Sequence, residues 1–256
     1  MEMGIGGAVR GIRVALERHR GGFVADGALL PGAHATVARL VAASRAPASA
    51  RGAVAGMAGV SVGARVHAEL ERFFASGAPA AHEHPLTAAL RAALLPHLRG
   101  AATHPEVAVA APSLGFATSV DLVAAARGRF VVAEYKTGYL ATFDTAVAGR
   151  WRAAVAPALL AARIDCTPGG RAAVQGFLGA LAFAETFGVP LEHITVVVAR
   201  VWHAGTACTS LRAYPLATPA FGAVAAALRR ALSRRARQTC HGRRGLGRRG
   251  DAARRR

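Results

Sequence analysis

Apolar residues recur along the chain with two periods, and the change from one to the other divides it. Over residues 61–76, Val62, Val66, Leu70 and Phe73 form one helical stripe, with Gly63, His67 and Glu71 beside it at intervals of four. Ser61 stands where a capping residue belongs. Prolines at 79 and 85 break the pattern. A second helix follows over 87–99, with Leu90, Leu94 and Leu98 as its face. Strand character then takes over. Residues 106–110 read as a short strand, and two β-prone runs within 118–137 flank Arg127-Gly128, which reads as a hairpin turn.

Helical spacing returns over 142–162, interrupted at Pro157, and over 171–187, where Val174, Leu178 and Leu181 point inward with Gln175 beside them. Residues 193–201 are an apolar run long enough for a central strand, with 209–214 as its neighbour and a last helix over 220–237. Upstream, residues 1–20 read as a short amphipathic helix, 21–32 as irregular, 34–44 as helix and 45–60 as loop or weak helix. The order predicts an α/β domain with a mixed central sheet flanked by helices.

Chemistry concentrates on the hairpin. Side chains alternate along a strand, so Phe130, Val132, Glu134 and Lys136 share a face. A hairpin symmetric about Arg127-Gly128 sets Asp121 opposite Glu134. Directly opposed Cβ atoms lie about 4.5–5.5 Å apart, where like charges repel. Two such carboxylates with a lysine two residues on ask for a divalent cation. Lys136 is the only lysine among 32 Lys+Arg residues. Arginine serves wherever a positive charge suffices, so position 136 calls for the compact, titratable ammonium. The alternative is an exposed Glu134–Lys136 ion pair, worth about 0–1 kcal/mol and functionally silent.

Charge narrows the partners. The formal net charge is +18. Residues 229–256 hold 12 arginines against Asp251, which contributes +11 and leaves about +7 on the rest. That balance favours polyanions, nucleic acid first. The arginine-rich segment reads as a disordered tail. Cys166, Cys208 and Cys240 are few, odd in number and far apart, so neither a disulfide framework nor a paired metal motif is expected, and a reducing intracellular compartment fits. No apolar run is long enough to span a bilayer, and no membrane partner is expected.

Asp121 followed by Glu134-Tyr135-Lys136 on the next strand resembles the PD-(D/E)xK nuclease motif, with Val120 where proline would stand. The flanks extend the likeness to RecB-like nucleases. Gly63-Ala-Arg-Val-His67 resembles their Gly-x-x-x-His helix start, Glu106 matches an acid on the first strand, and Gln175 lies on a later helix. Those nucleases often carry a tyrosine four residues after the glutamine, where this chain has Gly179. The resemblance covers residues 61–214. Mitochondrial genome maintenance exonucleases are similar in size and order. A herpesvirus family of conserved nuclear proteins has a similar strand motif, a segment like Asp144-Thr145-Ala146 and an arginine-rich tail.

The resemblance implies a restriction-endonuclease-like fold at 61–228, between an N-terminal segment (1–60) and the tail (229–256). It implies Mg²⁺ or Mn²⁺ held by Asp121, Glu134, His67 and the Tyr135 carbonyl, with Lys136 catalytic beside Asp121 and Glu134, and with Glu106 and Gln175 in support. RecB-like enzymes with an iron–sulfur cluster use four flanking cysteines, so no cluster is expected here. The expected activity is metal-dependent DNA hydrolysis, as an exonuclease on single strands or duplex ends in replication, repair or recombination. The alternative is a nuclear nucleic-acid-binding protein, viral in one of the two likenesses, that keeps the fold with little catalysis. The tail favours a nuclear setting, and a mitochondrial one is the other expectation.

Overall fold

The computed structural model describes residues 17–19, 22–25, 28–42, 57–98, 100–138, 143–145 and 149–250. A small antiparallel sheet comes first, built from β1 (Glu17–His19), β2 (Gly22–Ala25) and β3 (Ala28–Leu30). Helix α1 (Ala33–Leu40) leads into β4 (Val41–Ala42). Two longer helices follow, α2 (Met57–Ser76) and α3 (Pro85–Leu94). Then come β5 (Ala102–Ala111), β6 (Phe116–Ala126), β7 (Arg129–Thr137) and the short β8 (Arg150–Trp151), which pairs with β4. The chain continues through α4 (Ala156–Ala161), α5 (Pro168–Phe187), β9 (Ile194–Ala204), β10 (Thr206–Pro215) and α6 (Pro219–Gly250).

The central sheet has five strands in the order β10-β9-β7-β6-β5. β5, β6 and β7 form an antiparallel meander, β7 and β9 run parallel, and β10 returns antiparallel on β9. A parallel pair requires a crossover; the chain between β7 and β9 makes it through α5. The sheet is therefore mixed, and helices cover both faces, as the apolar periodicity predicts.

Alternation sorts β7 and β9 into two cores. Phe130, Val132, Val196 and Val198 pack with Phe177 and Phe183 of α5, whereas Val131, Ala133, Val197 and Ala199 pack with Val66 and Leu70 of α2 and Leu90 of α3. α5 lies close to the sheet because two of its glycines, Gly176 and Gly179, face it. A Cβ on Gly176 would stand 2.6 Å from Val196 Cγ1, and one on Gly179 would stand 3.2 Å from Val120 Cγ2. The edge of β5 is closed at Ala110, whose N–H donates to Thr186 Oγ1 at 3.0 Å while that hydroxyl donates back to the Ala110 carbonyl.

Several expectations need correction. Ser61 does not cap α2, which starts at Met57. α3 begins at Pro85, because proline needs no N–H partner at a helix start and His84 Nδ1 accepts from the Leu86 N–H. The first sheet strand runs from Ala102, so Glu106 sits within it and not at its opening. The region 142–162 is not one helix; its described part contains β8 and the short α4. Alanine's helix propensity misled there, since Trp151 is buried with its indole N–H on the Ile164 carbonyl at 2.8 Å. Residues 22–30 hold two strands where an irregular segment was expected. Residues 1–16 and 43–56 lie outside the described set, so most of the expected N-terminal helix and of the 45–60 loop does too. α6 runs through 229–250, where charge density predicted a disordered tail.

Candidate metal site in the fork of the sheet

Asp121 stands where the sheet divides. The β6–β7 ladder runs from Ala126 opposite Arg129 to Leu122 opposite Ala133 and ends there, one step short of Asp121 and Glu134. On the other side, β5 pairs with β6 at Pro105–Leu122 and again at Val107–Val120, but skips Glu106–Asp121. Glu106 has a φ of +50°, left-handed backbone that a non-glycine residue adopts only at a cost of about 1–3 kcal/mol. Beyond this point β6 stays with β5 while β7 stays with β9 as far as Thr137–Val201. Two halves of one sheet thus diverge around the hairpin's acids.

The side chains fill the fork. Asp121 Oδ2 accepts the Tyr135 N–H at 2.6 Å, taking the place of the missing ladder bond. Its other oxygen lies 3.6 Å from His67 Nδ1, too far for a hydrogen bond. Glu106 accepts from Ser119 Oγ at 2.7 Å. His67, Glu106 and Asp121 each offer a ligand atom, and these atoms lie within 4.8 Å of one another. N–H and C=O of one residue project to the same side of an extended strand, so the Tyr135 carbonyl faces Asp121 as its N–H does.

Glu134 and Lys136 occupy the α5 side. Lys136 Nζ donates to Glu134 Oε1 at 2.5 Å and to Gln175 Oε1 at 3.3 Å. Gln175 precedes Gly176, whose bare backbone lets α5 approach Glu134. The lysine is therefore aimed by two acceptors from different elements, with Glu134 buried.

The fork is electrostatically strained. Burial pushes the Asp121 carboxyl up to about 6, against the Tyr135 hydrogen bond and Lys136. Burial and then the neighbouring Asp121 push Glu134 up to about 7, against Lys136. Burial lowers the His67 pKa, which leaves the imidazole neutral and able to ligate. This donor set fits a divalent cation. Carboxylate oxygens suit Mg²⁺ or Mn²⁺, the imidazole moves the preference toward Mn²⁺, and a cation offsets the repulsion between the acids.

α2 brings His67 in, and two features hold α2. A Cβ on Gly63 would lie 2.8 Å from Thr137 Oγ1, so the second turn of α2 rests on the end of β7. Glu69, one of the few buried charges, accepts from Arg65 Nε at 2.7 Å, the His84 N–H at 2.8 Å and Thr87 Oγ1 at 2.7 Å. It thereby fastens the start of α3 to α2.

All seven residues expected at the site lie in or beside the fork, but they divide differently from the expectation. Glu106, expected only in support, joins His67 and Asp121, while Glu134 pairs with Lys136. Gly179, where the similar nucleases often carry tyrosine, packs against the sheet with a Cβ position only 3.2 Å from Val120 Cγ2. Sequence reasoning missed Glu69 and Arg200. Arg200 is buried in β9, with its guanidinium 4.0 Å from the Trp202 ring and 4.7 Å from that of Phe143. A lone charge inside an apolar strand was the available signal. Among the described residues no helix is long and apolar enough to cross a membrane. No protein-family model matches the chain, and no curated protein matches it.

Proposed function

We propose that this protein is a metal-dependent DNA nuclease of the PD-(D/E)xK type, most similar in its motifs to RecB-like exonucleases. One observation carries the reading. A forked sheet brings His67, Glu106 and Asp121 within reach of one ion and sets Glu134 and Lys136 on the adjoining strand. Chance ion pairs do not require a left-handed glutamate, a broken ladder and a neutral histidine at one point.

His67, Glu106 and Asp121 would hold Mg²⁺ or Mn²⁺, with the Tyr135 carbonyl and Glu134 at hand. When bound, the ion supplies Lewis acidity toward phosphate and acidifies water near neutral pH. The remaining work belongs to the chain. Lys136, steered by Glu134 and Gln175, presents N–H donors to the charge that develops on the phosphate. Glu134, with its raised pKa, can exchange a proton with water close to neutral pH. Basic residues on the body and α6 hold the strand, with affinity that falls steeply in salt. The arginine-rich segment supports a nuclear setting, and a mitochondrial one agrees with the same chemistry.

One feature favours the second reading, a nucleic-acid-binding protein with the fold and little catalysis. Gly179 stands where related nucleases carry tyrosine, and the sheet leaves no space there. End-labelled single-stranded and duplex DNA, incubated with Mg²⁺, Mn²⁺ or EDTA, separates the two. The nuclease reading expects metal-dependent cleavage that Lys136→Ala abolishes. DNA binding with equal background cleavage in both proteins removes it in favour of the second reading.

A further inference from the structure

Past the fork, the parallel register sets Arg200 beside Lys136, and Trp202 follows two residues later on the same face. We propose that Trp202 is a stacking platform for one base of a single nucleic-acid strand whose backbone passes Lys136; the direction of that strand rests on the nuclease reading.

The platform is built by its neighbours. A buried cation is costly unless it is paired and hydrogen-bonded. Arg200 meets that demand locally. Its Nε donates to the Gly138 carbonyl at 3.2 Å, and its guanidinium lies over both the Trp202 and Phe143 rings. Phe143 is fixed in turn, since its carbonyl accepts the Gly169 N–H at 2.8 Å. The indole is thus held from one side by a rigid group, while part of its surface stays in solvent.

The other tryptophan shows the contrast. Trp151 is buried, and its N–H is spent on the Ile164 carbonyl. Around Trp202 the charge is suited to phosphate. Among the described residues, Lys136 is paired with Glu134 and Arg212 lies 3.3 Å from Asp144, while Arg200 beside the ring leaves this face one positive charge in excess. A rigid aromatic ring among cations selects bases whose faces are open, and those belong to single strands, not to an intact duplex.

With two tryptophans in the chain, emission reports on the platform directly. Full-length protein is titrated with a short oligothymidylate in EDTA, and binding is followed both by tryptophan emission and by anisotropy of a labelled oligonucleotide. Saturable quenching by the single strand, and not by a duplex of equal length, is expected. Trp202→Phe should abolish the quenching and keep the affinity within about threefold, because a phenyl ring still stacks. Trp202→Ala should weaken binding about tenfold or more. Binding without quenching, equal affinity in Trp202→Ala, or equal quenching by duplex overturns the platform. Quenching without metal-dependent cleavage removes the nuclease reading alone, and cleavage without quenching removes the platform alone.

Discussion

Glu69 gives the sharpest test of how the site is held. Its carboxylate is buried and takes three hydrogen bonds, from Arg65, the His84 N–H and Thr87. Burial alone would raise its pKa, but these donors overcome burial and hold it at about 2, against 4.5 for a free glutamate. A depressed carboxyl contributes stability that is complete above the unfolded pKa and is lost as pH falls from 4.5 toward 2. The interval of about 2.5 units converts to an upper figure of about 3.4 kcal/mol. The Arg65 side chain is 53% exposed, so screening brings this to about 1–2 kcal/mol.

Glu69→Gln makes the contribution visible. One amide end of the glutamine faces a donor where the carboxylate offered an acceptor, so at pH 7 the variant should lose about 2 kcal/mol. A domain of this size should then melt about 4–8 °C lower. Urea titrations of both proteins at pH 7 and near pH 3 provide the assay. The gap between wild type and variant should narrow near pH 3, because the unfolded wild type has taken up the proton there while the folded carboxyl, at about 2, is still mostly ionised. An equal gap at the two pH values would refute the carboxylate's role and leave only a packing effect. Because Glu69 anchors the helix that carries His67, the variant should also bind Mn²⁺ more weakly at pH 7.

Other outcomes follow from single contacts. Mn²⁺ at about 100 times its Kd should stabilise the wild type by about 2.7 kcal/mol, visible as a rise of about 5–10 °C in melting temperature that Asp121→Asn abolishes. Gly176→Ala sets a methyl 2.6 Å from Val196 Cγ1, and should cost about 1–3 kcal/mol in urea titrations and displace Glu134 enough to slow cleavage. Tyr135→Phe removes a buried hydroxyl that has no hydrogen-bond partner among the described residues, and should raise stability in EDTA by about 1 kcal/mol. Gly179→Tyr should lower the melting temperature and not raise cleavage, since Val120 occupies the space.

The hairpin was legible because its cues are local. Alternation and Arg127-Gly128 predict the register, and the ladder follows it to Leu122–Ala133. What alternation cannot predict is where pairing stops. That is decided by Glu106 on another strand, whose left-handed backbone has no local cue. For the same reason the hairpin alone points to Asp121 and Glu134 and gives no weight to Glu106. The i,i+4 spacing of Arg65 and Glu69 is that of an ordinary surface helix pair, which gives no sign that the carboxylate also grips the start of α3. Arg200 was lost among 31 arginines, because usage that marks a single lysine says nothing of any one arginine. Alanine-rich stretches were the least readable, since alanine fits a helix, a strand or a tight loop, and only Trp151 distinguishes β8 from helix.

The divided sheet has a consequence for how this chain tolerates mutation. Its opening is drawn by main chain, where β6 leaves β7 and each half keeps its own partner. Replacing an acid removes a candidate ligand but not the opening, because the strands on both sides remain tied to β5 and β9. If the proposed nuclease function holds, binding and cutting can therefore be inherited separately. A lineage that loses Asp121 or Lys136 keeps the divided sheet, and only a substitution that rejoins the two halves would erase it.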